Sequence, residues 1–372
     1  MSMSRVLRLC RRSGVWVAAM AALFFMTPLS LLAASTQDFY AGKRMTILIG
    51  FTPAGGHDLE ARVMARHLPK HIPGLSSVVV QNMPGAGGLM MGGYMYKRAK
   101  PDGLTTGVFG GTHLQSAILG EGVEYDVAKM NVVWAVSGVR VGIVRDFLNA
   151  KTALDLTRAP ADKIVVSGRT KTDSSCMMGN LAMELLGIKG HKSVCAYAGT
   201  AVIKAAMERG EVSFFDASDA HLVGGGAYVE MFQKGQVIPL WQGGQLGPGG
   251  KITRSPTVRE DVPTFYEAYM QVHNKAPSGP LWDAFRILYN TVHGNLTRVL
   301  IMPPGTPPDR IEFLRTALAS MAKDPAFVRD WEKVFGQELA PVLVSAKAAE
   351  DLKEEFMRPA PWQDQLKKFL GL

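Results

Sequence analysis

Apolar residues in this chain fall in short unbroken runs, each closed by a glycine turn and followed by helical spacing. Ile47-Leu48-Ile49-Gly50-Phe51 leads into Thr52-Pro53-Ala54-Gly55-Gly56-His57-Asp58, after which Leu59, Val63, Met64 and Leu68 recur at helical intervals. Ser77-Val78-Val79-Val80-Gln81 reads as a second buried strand, Asn82-Met83-Pro84-Gly85-Ala86-Gly87-Gly88 as a second glycine turn, and Leu89 onward as a second helix. Tandem strand-glycine-helix units predict an α/β fold with a parallel sheet, both turns and both helix N-termini lying at one edge. Such an edge suits an anion, because free N–H groups and positive helix ends point there and glycine lets a ligand approach the main chain. Pro101-Asp102-Gly103 turns into a third strand, Leu104 to Phe109, which brings Gly110-Gly111-Thr112-His113 to the same edge.

Three of these stretches, Phe51 to Asp58, Gln81 to Gly88 and Ala99-Lys100-Pro101-Asp102-Gly103, resemble in order and separation the signature of the tripartite tricarboxylate transporter solute-binding proteins, the Bug family. The resemblance implies a periplasmic protein of the type 2-like binding-protein class, with two α/β lobes and a hinge closing on a small carboxylate. The lobes expected are residues 35–138 with 241–372, and 139–240. It also makes Thr112 and His113 candidates for polar ligand contacts; the other reading of His113 is a histidine hydrogen-bonded within its loop.

The remaining pattern fits that frame. Val132 to Val136 and Val139 to Val144 read as a strand pair leaving one lobe for the other, and Thr152 to Leu156 as a helix start. Lys163 to Gly168 is a strand followed by a polar loop, Arg169 to Ser175. Many family members carry glycines and serines in that loop, whereas this chain keeps Ser174 and Ser175 beside Arg169, Lys171 and Asp173. A cationic loop facing the cleft would pair with a second carboxylate on the ligand; otherwise Arg169 and Lys171 point to solvent. Val194 to Ala201 resembles the family's tyrosine-glycine loop, placing Tyr197, Gly199 and Thr200 before a helix over Ala201 to Arg209. Glu211 to Phe215 reads as a strand ending at Asp216, a residue that would bind an ammonium group on an amino-acid ligand or cap the segment from Ala217 onward. Val237 to Gln242 returns the chain, Gly243 to Gly250 is a glycine-rich loop, and Val299 to Pro303 leads into a helix from Asp309 to Ala322, with two amphipathic helical segments after it.

Composition is most informative at the N-terminus. The 372 residues are 47% hydrophobic and 20% charged, an ordinary globular balance. Arg5, Arg8, Arg11 and Arg12, the apolar run from Val15 to Phe25, and Ala33-Ala34-Ser35 give residues 1–34 the layout of a secretory signal peptide. A membrane anchor is the competing reading, but the run is short of the ~20 residues that span a bilayer. Removing those four arginines lowers the formal charge from +9 to +5. With no Lys/Arg stripe interleaved with aromatics, a nucleic-acid partner is not expected. Cys176 and Cys195 remain. A right-handed strand-helix-strand unit would bring a helix start and the next strand end together, so the two could bond in an oxidising compartment; the alternative is two buried free thiols.

Enzyme chemistry finds little support. The glycine turns lack G-x-G-x-x-G spacing, and neither a phosphate loop nor a G-x-S-x-G elbow occurs. His67 and His71 stand four apart, but Pro69 ends the helix between them, so both read as surface residues rather than metal ligands. The expectation is therefore recognition without reaction, with no cofactor and no metal, in a monomer serving inner-membrane transporter subunits. N–H groups from Ala54, Gly55, Gly56 and His57, and from Gly85, Ala86, Gly87 and Gly88, would meet a carboxylate from one lobe. Ser174, Ser175, Gly199 and Thr200 would meet it from the other. Thr52 belongs to the same turn, and Phe51 is either an apolar wall or a strand end. Asp58 beside an anion site would cap its helix and order the loop, or act through water. An enzyme using an unrecognised site on a small carboxylate is the alternative.

Overall fold

The computed structural model describes residues 36–53, 56–120, 122–223, 226–246, 251–335 and 343–372. The expected signal segment, and Ala54 and Gly55 of the first turn, lie outside them.

The apolar runs build two sheets. The first contains β1 (Arg44–Ile49), β2 (Ser77–Asn82), β3 (Thr105–Gly110), β4 (Asn131–Val136), β12 (Arg298–Met302) and β13 (Leu343–Val344); the second contains β5 (Arg140–Arg145), β6 (Val165–Gly168), β7 (Lys192–Cys195), β8 (Phe214–Ser218) and β9 (Val237–Gln242). A two-stranded ribbon, β10 (Gln245–Leu246) with β11 (Ile252–Thr253), completes the strands among the described residues. The orders are β13-β4-β12-β3-β1-β2 and β7-β6-β8-β5-β9. β1 runs parallel to both β2 and β3, and β6 parallel to both β7 and β8. Each parallel strand therefore delivers its helix from the same edge: α1 (Gly56–His67), α2 (Leu89–Lys97) and α3 (Gly111–Leu119) from the first sheet, α4 (Ser174–Leu185) and α5 (Thr200–Glu208) from the second.

β1 shows why the pattern folds this way. Ile47, Leu48 and Ile49 are all buried because helices cover both faces of the strand. β2 departs from the sequence reading. It is the edge strand, its residues are only half-covered and Val79 is exposed, so this run of valines is not a buried strand.

The chain passes from the first sheet to the second at 137–139 and returns after β9. The two passages are joined side by side, Gly243 N donating to Arg140 O at 2.8 Å and Gly138 N to Gly294 O at 2.9 Å. Gly294 belongs to a π-helical segment, Ile287–Asn295, that continues α7 (Pro280–Arg286) and lies across both passages. Although they follow the return, α6 (Phe265–His273) and α7 pack toward the second sheet. Phe265 meets Trp241 edge-on at 5.3 Å, and His273 Nε2 lies 3.0 Å from Leu185 O.

After α8 (Pro308–Met321), three helices follow among the described residues rather than two: α9 (Pro325–Phe335), α10 (Ala346–Met357) and α11 (Pro361–Leu370). They also bury groups that the sequence reading left at the surface. His67 is buried with its Nε2 3.0 Å from Asp330, and His71 approaches Asp324 at 3.4 Å and Ser320 at 3.1 Å. These contacts pin the end of α1 to α8 and α9. Among the described residues no helix is long and apolar enough to cross a membrane.

Candidate functional site: the junction between the two sheets

The glycine turns of the first sheet pack against one another through histidine. Gly88 has φ +100°, and a methyl carbon there would lie 2.6 Å from His113 Cε1; one on Gly50 would lie 3.0 Å from His113 Nε2. Gly85, Gly87 and Gly88 have positive φ, a path that glycine follows without strain, and Ala86 between them shares it at φ 48°. His113 is fully buried on α3, accepting Gly110 N–H at Nδ1 (3.1 Å) and flanked by Phe51 and Phe109 at ring-centroid distances of 5.4 and 4.8 Å. It is thus a spacer behind the turns. Burial pushes its pKa down to about 4, against the opposing backbone bonds. His57 stacks on Phe51 at 4.7 Å, and burial, then Arg298, hold it neutral well below the usual histidine range.

Asp58 is buried. Its carboxylate takes two bonds from Arg62 (2.8 and 3.0 Å) and one from Asn82 Nδ2 (3.0 Å), which also donates to Phe51 O at 3.0 Å. The acid thereby stitches the first turn to the end of β2. Thr52, Gly56, Ala86 and Gly87 are exposed at the edge, while Phe51, Gly85 and Thr112 are half-buried.

On the second sheet, Asp173 rather than a serine caps α4, accepting Cys176 N at 2.9 Å. Arg169 reaches the same carboxylate through Nε at 2.8 Å, while Lys171 is exposed. Ser174 and Ser175 are buried, and Ser175 Oγ accepts from Arg140 at 2.9 Å. Gly199 and Thr200 open α5, both half-buried. Cys176 and Cys195 are joined in a disulfide, their Cα atoms 6.0 Å apart, locking the start of α4 to the end of β7.

Two residues read from sequence as site groups are engaged by other parts of the chain. Asp216 sits inside β8, not at its end, so it caps nothing. It is buried between Arg140 Nε (2.8 Å) and Tyr289 Oη (2.7 Å), and burial, opposed by Arg140, raises its pKa to about 6. With both oxygens engaged it has no place for a ligand ammonium. Tyr197 packs on the apolar cluster that contains Ile203 and Met207, within electrostatic reach of Glu211 and Arg209.

The groups missed by sequence are those joining the halves. Gln115 of α3 donates from Nε2 to Thr172 O across the junction, and its Oε1 lies 2.9 Å from His293 Nε2. The π-helical segment supplies both His293, toward the first sheet, and Tyr289, toward the second. Arg298, at the start of β12, meets buried Glu60 at 3.3 Å, and burial raises that carboxyl against the arginine's pull. No local signal marks these residues, since each partner is remote in sequence. Among the described residues no three His, Cys, Asp or Glu side chains gather so as to hold a metal ion.

The overall fold recurs in solved structures. The periplasmic binding protein BugD superposes with a TM-score of 0.64 over 89% of this chain and 99% of its own, at 19% identity. The fold is that of a periplasmic binding protein. Rpa4515 from Rhodopseudomonas palustris, solved with adipate, gives 0.63 over 89% and 98% at 20% identity. MatC from the same organism, solved with bound malate, gives 0.61 over 87% and 99% at 19%. No protein-family profile and no curated protein sequence matches the chain.

Proposed function

We propose that the chain is a periplasmic solute-binding protein that captures a small organic carboxylate between its two lobes and delivers it to a tripartite tricarboxylate transporter. The observation that carries the reading is the convergence of helix starts and glycine turns from both sheets on one junction, already bridged by Gln115 and Thr172. Such an edge offers N–H donors and helix dipoles to an anion. The binding-protein fold and the carboxylates named with MatC and Rpa4515 agree with it. The lobes in this reading are 35–138 with 241–372, and 139–240, with α6 and α7 of the former reaching onto the latter. Exposed Thr52, Gly56, Ala86 and Gly87 meet the ligand from one side, and Arg169, Gly199 and Thr200 from the other. The protein acts as a monomer and turns nothing over.

A thermal-shift screen of protein freed of co-purified ligand, against mono-, di- and tricarboxylates and amino acids, tests this. Ligand at a hundred times its Kd adds about 2.7 kcal/mol. A carboxylate hit without turnover supports the reading; a panel with no carboxylate shift removes it.

A further inference from the structure

Arg169 opens the loop between β6 and α4. Its backbone N–H and its Nε both donate to Asp173 Oδ2 at 2.8 Å, while Asp173 Oδ1 takes Cys176 N–H. The carboxylate's charge is thus shared with the positive end of a 12-residue helix. The guanidinium is fixed by one edge only. Its bonds among the described residues run through Nε, so both Nη groups are uncommitted, and the side chain is 35% exposed. The loop is fastened too, because Gln115, itself held by His293, bonds Thr172 O from the opposite lobe. Facing groups do not compete for the fork. His57 and His113 on the first lobe and His221 on the second all lie within electrostatic reach of Arg169; His113 is buried, the other two half-buried, and desolvation holds all three neutral.

We propose that Arg169 is a specificity-determining residue whose two Nη groups receive the second carboxylate of a dicarboxylate, its first carboxylate resting on the glycine-turn edge of the opposite lobe. This rests on the carboxylate-binding reading above and narrows it. A planar fork anchored at Nε presents two parallel N–H bonds to a carboxylate, a geometry lysine cannot reproduce. A monocarboxylate of equal length leaves the fork facing water and gains nothing from it.

Calorimetry with length-matched pairs, succinate against butyrate and adipate against hexanoate, tests the assignment on wild type, Arg169→Gln, Arg169→Lys and Lys171→Gln. Wild type should bind at least one dicarboxylate about tenfold or more tighter than its monocarboxylate partner. Arg169→Gln should bring that ratio close to one by weakening the dicarboxylate about ten- to a hundredfold while leaving the monocarboxylate unchanged. Arg169→Lys should recover part of the loss, and exposed Lys171→Gln should behave as wild type. A wild-type ratio near one overturns the proposal without any variant, as does an unchanged ratio in Arg169→Gln. Should that variant fail to fold, the wild-type ratio and the lysine variant decide. Wild type that binds none of the four acids overturns the dicarboxylate assignment, and only failure across the wider carboxylate panel as well sinks the carboxylate reading itself, a result distinct from binding all four without preference.

Discussion

Gly88→Ala tests whether His113 is a rigid spacer behind the glycine turns. Two costs arise at this position. The backbone has φ +100°, where a side chain is strained by about 1–3 kcal/mol. The new methyl would also sit 2.6 Å from His113 Cε1, in a site already filled by Phe51 and Phe109. Overpacking of that kind costs about 1–3 kcal/mol, because the ring is held by Gly110 N–H and cannot swing aside. The sum, about 2–6 kcal/mol, is a large share of the 5–15 kcal/mol typical of a folded domain. Urea denaturation of wild type, Gly88→Ala, His113→Ala and the double variant separates the terms. Removing the imidazole abolishes the clash but leaves the backbone strain, so the cycle should show about 1–3 kcal/mol of favourable coupling. Coupling below about 0.5 kcal/mol would show that the two residues are independent and the spacer argument wrong.

His113 should also make stability fall in acid. Its pKa is about 4 in the folded state against 6.5 unfolded, so the unfolded chain takes the proton first. Its contribution is complete above about pH 6.5 and is lost as pH falls toward 4; between pH 7.5 and 5 it removes about 2 kcal/mol that His113→Gln should not lose, measured by urea titration at both pH values. Asp216 acts in the opposite sense, since its raised pKa favours the folded state as pH falls through 6, and only the difference between variant and wild type isolates the histidine. Asp216→Asn should destabilise by about 3–5 kcal/mol because it strands buried Arg140, and a variant as stable as wild type in denaturant would contradict the pairing. Replacing Cys176 and Cys195 by serine opens a closure spanning 19 residues and should cost about 3 kcal/mol, read as a lowered Tm under oxidising conditions only.

The strand-glycine-helix units were legible because their information is local. Ile47 to Gly56 announces a strand, its turn and a helix start within ten residues, and three such units fix a parallel core. Long-range pairing was not legible. Asp216 looks like a strand-end acid until Arg140, 76 residues earlier, is found beside it. Gln115 resembles any polar helix residue until Thr172 and His293 are brought to it. The same holds for β12, which inserts antiparallel between β3 and β4, and for β2, whose valines promise burial that its edge position denies. Tyr197 follows a family-like motif, yet its side chain obeys the apolar cluster beneath α5.

These remote pairs determine the electrostatic character of the junction. Arg140, Arg169 and Arg298 each meet a carboxylate of this chain, Asp216, Asp173 and Glu60. The nearby histidines His57, His113 and His221 are held neutral by burial. On the proposed reading, a ligand anion therefore does not enter a bare cationic pocket whose attraction would be indiscriminate. It meets directional donors, and among the three arginines only Arg169 combines one-edge anchoring with appreciable exposure, the other two being 11% and 13% exposed. Selectivity, on that reading, depends on where hydrogen-bond donors point more than on summed charge, and the loop carrying Arg169 is fastened twice, through its own cap at Asp173 and across the junction by Gln115.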